Sequence, residues 1–343
     1  MKKLGNTLYI TTAEAYVALD GENVVVKKDD TGVMRLPLHN LESIVCFNYA
    51  GVSPALMGAC AERQIALTFL KPSGQFLARV TGRVHGNVSL RRRQYELSCT
   101  EAGRIEIARN MLLGKVANSR KVVERALRDH RLLVDAPVLS EASGALKTSL
   151  CEIQSALSLD SLRGLEGLAA KRYFEVFDQM ILQQKAAFRF EERSRRPPLD
   201  NMNALLSFLY SLLTHDAVAA LETVGLDPQM GFLHVDRPGR PSLALDLVEE
   251  LRAPIVDRLA LSLVNLRQVQ GAGFTRKESG GVLMDDATRK EVLVAWQKRK
   301  QEVTEHPFLK ERIPRGLLPH VQAMLLARHV RGDLEGYPPY LLP

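Results

Sequence analysis

The chain has 343 residues, of which 46% are hydrophobic and 25% charged, with a net charge of +7. That balance excludes a disordered chain, which could not bury enough apolar surface, and a membrane-embedded one; the length suits two domains. The basic excess favours a polyanionic partner, because Lys and Arg that neutralise phosphates release counterions. No stretch reaches about 18 uninterrupted apolar residues, so no membrane span is expected. The opening MKKLGNTLYITTAEAYVALDG is broken by Asn6, Thr7, Thr11, Thr12 and Glu14 before it attains signal-peptide length, so a cytoplasmic location is expected. Cys46, Cys60, Cys99 and Cys151 show no C-x-x-C spacing and are expected to be reduced, buried small residues rather than zinc ligands or disulfides.

The first part alternates with the two-residue period of strands: TLYIT, AYVALDG, ENVVVKK, VMRLPL, SIVCFN, and later IALTFL and QFLARV. Asp20-Gly21, Asp29-Asp30-Thr31-Gly32 and Pro72-Ser73-Gly74 supply turn chemistry between them, and one helix is predicted from roughly Pro54 to Gln64. From about Leu97 the period becomes helical, in EIARNMLLGKVANSRKVVERALRDH and ALLSFLYSLLTHDAVAALETVG, and strand signals nearly vanish. The predicted architecture is α+β, a small N-terminal β domain over residues 1–96 followed by a larger all-α domain over 97–343. Arg91-Arg92-Arg93 is read as an exposed basic connection between the two. Arg195-Arg196-Pro197-Pro198 and Lys277-Glu278-Ser279-Gly280-Gly281 are read as loops between helices, and WQKRKQEV after Val294-Ala295 as a solvated helix face.

In GFLHVDRPGRPSLALDLVEELRAPIVD, a helix with the apolar stripe Leu243, Leu247, Val248, Leu251 and Ile255 also carries Asp246 and Glu249, about one turn apart. Two readings stand beside each other: a solvated acidic face with Arg252 as neighbour, or the margin of a cleft, since Leu245, Ala253 and Val256 surround Glu249 in projection. A second helix, DSLRGLEGLAAKRYFEVF, is expected to start with Asp160 as N-cap. It places Glu166 on a face with Leu162, Ala169, Ala170 and Tyr173, where an unpaired carboxylate would cost several kcal/mol and so must pair, protonate or bind metal. Gly164 and Gly167 beside it suggest close approach by a backbone or ligand. His234 stands at the helix entrance; such a residue is often structural, but with two or three carboxylates it suits Mn²⁺ or Mg²⁺, and imidazole favours Mn²⁺. Asp236 is a rival ligand ranked below Asp246 and Glu249.

These residues resemble a family, the CRISPR-associated integrases, catalytic subunits of the complex that inserts new spacers into a CRISPR array. LRGLEGLAAKRYF, RRPPLDNMNALLSFLYSLL, GFLHVDRPGRPSLALDLVEELRAPIVDR and LPHVQAMLLARHVRGDLEGYPPY are similar to its blocks in its order, over essentially the full chain, and GNVSLRRRQY is similar to the variant that accompanies type I systems. The resemblance implies Glu166, His234 and Glu249 as ligands of one Mn²⁺ or Mg²⁺, with Asp246 as an additional catalytic acid nearby. Many members carry aspartate where this chain has Glu249. It further implies attack by a spacer 3′-OH, or water, on a phosphodiester. Homodimerisation through the β domain and pairing with a small second CRISPR adaptation protein into a heterohexamer-like complex are implied by the resemblance alone. Candidate contacts to double-stranded DNA (spacer ends and repeat) are Arg163, Lys171, Arg172, Arg189, Arg193, Arg195, Arg196, Arg237, Arg240, Arg276 and Lys277, positioning phosphates rather than reading bases. Two other readings remain: a non-catalytic DNA-binding scaffold whose acids pair with neighbouring arginines, and a metal-dependent phosphodiesterase acting on other nucleotides.

Overall fold

The computed structural model describes residues 5–12, 14–29, 31–47, 49–83 and 88–343. Asp30 of the second expected turn, Asn48 at the end of SIVCFN, and Gly86 and Asn87 of GNVSLRRRQY lie outside the described residues. The first part holds β1 (Asn6–Ile10), β2 (Tyr16–Asp20), β3 (Asn23–Lys28), β4 (Thr31–Pro37), β5 (Leu41–Cys46), β6 (Gly51–Val52), α1 (Pro54–Glu62), β7 (Ala66–Leu70) and β8 (Phe76–Val80). They form two four-stranded sheets, ordered β1-β5-β7-β8 and β4-β3-β2-β6. Gly21 opens the β2–β3 hairpin with φ +57°, a left-handed conformation that glycine adopts freely.

Strand alternation decides what each sheet face covers. On β5, Ile44 and Cys46 join Leu8, Val17, Val24, Leu56, Cys60 and Leu67 in a core shared by the two sheets and α1. Val45, and Phe47 just beyond β5, point the other way into the helical core, where Phe47 stacks on Phe208 at 6.0 Å between ring centroids. The end of β5 is therefore covered on both faces.

The second part comprises α2 (Val88–Ser98), α3 (Glu101–Asp129), α4 (Ala136–Ser155), α5 (Leu159–Glu175), α6 (Asn201–Val224), α7 (Ser242–Leu251), α8 (Arg258–Asn265), β9 (Phe274–Arg276), β10 (Val282–Met284), α9 (Asp286–Gln301), β11 (Val303–Glu305), β12 (Arg312–Pro314) and α10 (Leu318–Arg331). The α+β reading holds, but four short strands interrupt the helices. They pair as two hairpins, β9–β10 and β11–β12, and Lys277–Gly281 is the first hairpin's turn rather than a loop between helices. Arg91–Arg93 lie inside α2, not on a connection; Arg91 Nε donates to the Gly225 carbonyl at 3.1 Å.

The stretch expected to be a solvated face of α9 is solvated at Lys298, Gln301 and Glu302 but buried at three positions. Trp296 is 1% exposed, Arg299 8% and Lys300 5%, and Lys300 reaches Asp216 of α6 at 3.0 Å. Of the cysteines, Cys46 and Cys60 are buried as expected, whereas Cys99 and Cys151 are exposed. Burial pushes the Cys46 thiol up to about 12 and that of Cys60 up to about 11, so neither is a thiolate at neutral pH. Helix α6 is long and apolar enough, with mean hydropathy 1.5 in its best window, to cross a membrane; the sequence reading did not single it out. Its apolar residues Leu205, Leu206, Phe208, Leu209, Leu212 and Leu213 form part of the helical core.

The long α3 packs against α4, α5 and α7, and it is capped by the Thr100 hydroxyl accepting from Gly103 N at 3.1 Å. Helix α7 runs through a π-helical turn, Arg252–Asp257, into α8. The chain end straps α3 to α7. Asn118 of α3 donates to the carbonyls of Glu250 (2.7 Å) and Tyr340 (2.8 Å) and accepts from Leu342 N at 2.7 Å. Glu250 accepts from Tyr340 N at 2.7 Å, from Gln322 Nε2 at 2.8 Å and from the Tyr337 hydroxyl.

Burial pushes the Glu250 carboxyl up to about 7, against the lowering influence of the bonds from Tyr337, Gln322 and Tyr340. Because the folded state then holds a proton that the unfolded chain releases near 4.5, this group's stabilisation weakens as pH rises from about 4.5 to about 7. Chemical denaturation across that window should show wild type losing stability relative to Glu250→Gln, by at most about 1.4 kcal/mol per pH unit. Parallel curves for the two proteins would contradict a raised Glu250.

Candidate active site

Every residue of α7 except Leu245 is buried, so Asp246 and Glu249 do not form a solvated acidic face. Asp246, 0% exposed, accepts at Oδ2 from Phe232 N (2.6 Å) and Leu233 N (2.9 Å), and at Oδ1 from His234 N (3.0 Å). The carbonyls of the same loop are taken up by Arg104 Nε on Phe232 O at 2.8 Å and Arg163 Nε on Leu233 O at 3.1 Å. With its backbone donors and acceptors satisfied, the loop needs no regular secondary structure. Gly231 is required here: a Cβ on it would stand 2.8 Å from Asp246 Oδ2.

Asp246 Oδ1 also lies 2.5 Å from His234 Nδ1. That contact places the ring proton on Nδ1 and leaves Nε2 as the free nitrogen, 3.9 Å from Glu249 Oε1. Glu249, 2% exposed, is bound by Arg252 from the π turn and lies 2.8 Å from Lys115 Nζ of α3. Lys115 binds Glu166 of α5 as well. Burial favours the neutral form of Glu249, but Arg252, Lys115 and His234 outweigh it and hold the carboxyl well below the usual range.

Glu166 of α5 and Glu249 of α7 thus meet at one ammonium group, and His234 Nε2 stands near the other oxygen of Glu249. Among the described residues no three His, Cys, Asp or Glu side chains already stand close enough to hold a metal ion together. The donor types nevertheless suit a divalent cation: two carboxylates share an ammonium, a free imidazole nitrogen lies beside one of them, and buried Glu249 Oε2 makes no well-directed hydrogen bond. Asp246 is spent on the loop and on His234. Asp236 is exposed, and no contact among the described residues joins it to Glu166 or Glu249.

Several expectations change at α5. Its N-cap is Ser158, whose extended backbone lets Oγ accept from Ser161 N at 3.1 Å; Asp160 sits inside the first turn and pairs with Arg163 at 2.7 Å. Gly164 and Gly167 are exposed, and a Cβ on either would meet nothing within 4 Å, so no neighbouring backbone explains them.

The candidate DNA contacts divide by what they touch. Arg163 clamps the loop, Arg172 turns inward to Ala145 O (3.1 Å) and Ser149 Oγ (2.8 Å), and Arg193 is bound to Asn203 Oδ1 (2.6 Å) and Ser207 Oγ (3.0 Å). These three serve packing, contrary to expectation. Lys171 and Arg189 are exposed and paired with Glu175 (3.7 Å) and Glu191 (3.0 Å), while Arg276 is exposed and donates to Leu199 O at 2.9 Å, next to exposed Lys277. Arg195, Arg196 and Arg237 are exposed around half-buried Arg240. Partial burial, then the charges of Arg237, Arg196 and Arg195, hold the Arg240 guanidinium below its ordinary pKa, the mark of a like-charged cluster. The sequence reading missed Lys115, although it falls among Met111, Leu112, Val116 and Ser119 on a buried stripe, and it missed Arg104.

A β-sheet part joined to a helical part that draws two acids and a histidine together beside arginines defines an α+β chain with a buried acidic site. The family model described as "CRISPR associated protein Cas1" matches residues 8–298, and the chain belongs to that family. It is 53% identical over 344 aligned positions, 99% of each chain, to "CRISPR-associated endonuclease Cas1 2" of Rhodospirillum rubrum. Its fold is similar to that in a "Cas6-RT-Cas1–Cas2 complex" (TM-score 0.83, 22% identity, 99% of this chain and 36% of that one). It is equally similar to a "Casposase bound to integration product" (TM-score 0.83, 19% identity, 97% of this chain and 93% of that one).

Asp246→Ala would leave three backbone N–H groups and His234 Nδ1 without their acceptor in a mostly buried loop. Thermal denaturation should show a loss of about 3 kcal/mol or more, several times that of a surface change. A loss under about 1 kcal/mol would contradict the anchoring role.

Proposed function

We propose that the chain is a metal-dependent DNA endonuclease and integrase that joins a 3′-OH to a phosphodiester at a CRISPR array. The observation that carries this reading is the meeting of Glu166 and Glu249 at one ammonium with His234 Nε2 beside Glu249, in a chain of the Cas1 family. The endonuclease named in the Rhodospirillum relative and the integration product named with the casposase support the same chemistry.

In this reading Glu166, His234 and Glu249 hold one Mn²⁺ or Mg²⁺, and Asp246 is a positioning residue that fixes the histidine's ring and tautomer. The bound cation supplies charge neutralisation at the phosphodiester and activation of the attacking oxygen. Glu166, with 30% of its side chain exposed, and His234, with 21%, form the accessible side of the site, while Glu249 forms its floor. Arg195, Arg196, Arg237 and Arg240 are the residues proposed to hold DNA phosphates, since a cluster of like charges is relieved by a polyanion. The Cas1–Cas2 complex among the similar structures supports Cas2 as the small partner, and a pair of chains joined through the β part is proposed beside it.

A second reading has its own support. Glu249 and Glu166 are already neutralised by Arg252 and Lys115, as a non-catalytic DNA-binding scaffold would require. The choice of substitution matters for separating the two. Removing Glu249 leaves buried Arg252 without its carboxylate and Lys115 with one partner of two, and should cost about 3–5 kcal/mol, whereas partly exposed Glu166 can be replaced with the fold intact. Purified Glu166→Ala and His234→Ala should keep the wild-type melting profile yet lose Mn²⁺-dependent cleavage and strand transfer on branched duplex DNA by on the order of 100-fold or more. EDTA should abolish the wild-type product. Product formation that survives both EDTA and Glu166→Ala would rule out the metal-dependent reading, and DNA binding without product would favour the scaffold.

A further inference from the structure

Lys115 emerges from α3 where that helix and α7 approach most intimately: a Cβ on the preceding Gly114 would stand 3.0 Å from Glu250 Cβ. Its side chain is 13% exposed and its ammonium bridges Glu166 and Glu249, carboxylates borne by two different helices. Glu249 is bound a second time by Arg252. Two carboxylates therefore meet two cations, and the cluster is neutral as it stands. Without Lys115 the acids of α5 and α7 would face one another with a single compensating guanidinium, an arrangement that repels across a low-dielectric interior.

Adding a divalent cation between Glu166 and Glu249 changes this balance. The ammonium and the incoming ion compete for the same carboxylate oxygens, and two positive centres this close repel strongly. Beside the ammonium lies a small cavity of about 30 Å³, lined by Ser119, Tyr173, Tyr210 and Asp257 but also by Arg193, Arg195 and Arg252. Asp257 is buried, accepting from Tyr173 at 3.0 Å and Tyr210 at 2.5 Å. A lysine's four-carbon stem swings readily, so the ammonium can leave the carboxylates without the backbone moving.

We propose that Lys115 is a built-in counter-ion: it holds Glu166 and Glu249 together when no divalent cation is bound, and must give up those carboxylates when one binds. It thereby weakens the site's affinity for the cation while keeping the site assembled without it. This rests on the reading of Glu166, His234 and Glu249 as cation ligands.

Isothermal titration of the full chain with Mn²⁺, alongside melting curves with and without Mn²⁺, separates the possibilities. Lys115→Met should bind Mn²⁺ on the order of tenfold more tightly than wild type, melt lower without it, and gain a larger melting shift on adding it. Lys115→Arg keeps the charge and holds carboxylates through a two-pronged fork, so it should bind Mn²⁺ no more tightly than wild type; it also provides a test should Lys115→Met fail to fold. Wild type that binds Mn²⁺ with Lys115→Met no tighter, or Lys115→Arg tighter than wild type, overturns the counter-ion while leaving the ligand set in place. If folded wild type and Lys115→Met both fail to bind Mn²⁺, the ligand set itself falls, and the counter-ion with it.

Discussion

Three carboxylates are buried on the ten-residue helix α7, and the helical half of the molecule is arranged around the need to neutralise them. Each is handled differently. Asp246 takes backbone N–H groups and an imidazole, Glu249 takes two cations, and Glu250 takes neutral hydroxyl, amide and backbone donors. An unpaired carboxylate in such a place costs several kcal/mol, so the partners are not optional decoration on a finished fold. They dictate which elements must touch α7: the loop before it, α3, the π turn after it, and the strap at the chain end.

The different solutions have different electrical results. Glu250 is solvated by neutral donors, so burial dominates and its proton is held more tightly. Glu249, one residue earlier on the same helix, is equally buried yet held as an anion because Arg252 and Lys115 face it. Adjacent acids on one helix thus point to opposite sides and acquire opposite tendencies, one suited to fastening the chain end and the other to facing a cation. The strap through Asn118 and the site through Lys115 share one turn of α3, so what fastens the fold also sets the distance between the acidic helices.

Much of this was legible in the sequence, and what was not has a common cause. Two-residue alternation identified the strands, because sheet faces are sorted between two cores, and helical spacing identified the stripe of α7 together with Asp246 and Glu249, while His234 drew notice from its place at the helix entrance. Periodicity reports which residues share a face, not what that face meets. Arg172 and Arg193 look like surface cations by composition, yet their guanidinium groups satisfy carbonyl and hydroxyl oxygens between helices. Lys298 remains exposed as expected, while Arg299 and Lys300 one and two positions on are buried, since α9 is covered along one side by the sheet part and α6.

Lys115 shows where a sharper reading was available. A lysine in MLLGKVANS sits three and four residues from Leu112 and Met111 on a stripe that is otherwise buried, directly after a glycine. A cation on an apolar stripe demands an anion from a neighbouring element, just as Glu166 on its own stripe demands a cation. The sequence offers each of them the other, 51 residues apart. Misplaced charges of opposite sign are each other's natural partners, and that pairing alone joins α3 to α5. It also recasts the acidic site as one that is balanced internally before any ligand arrives.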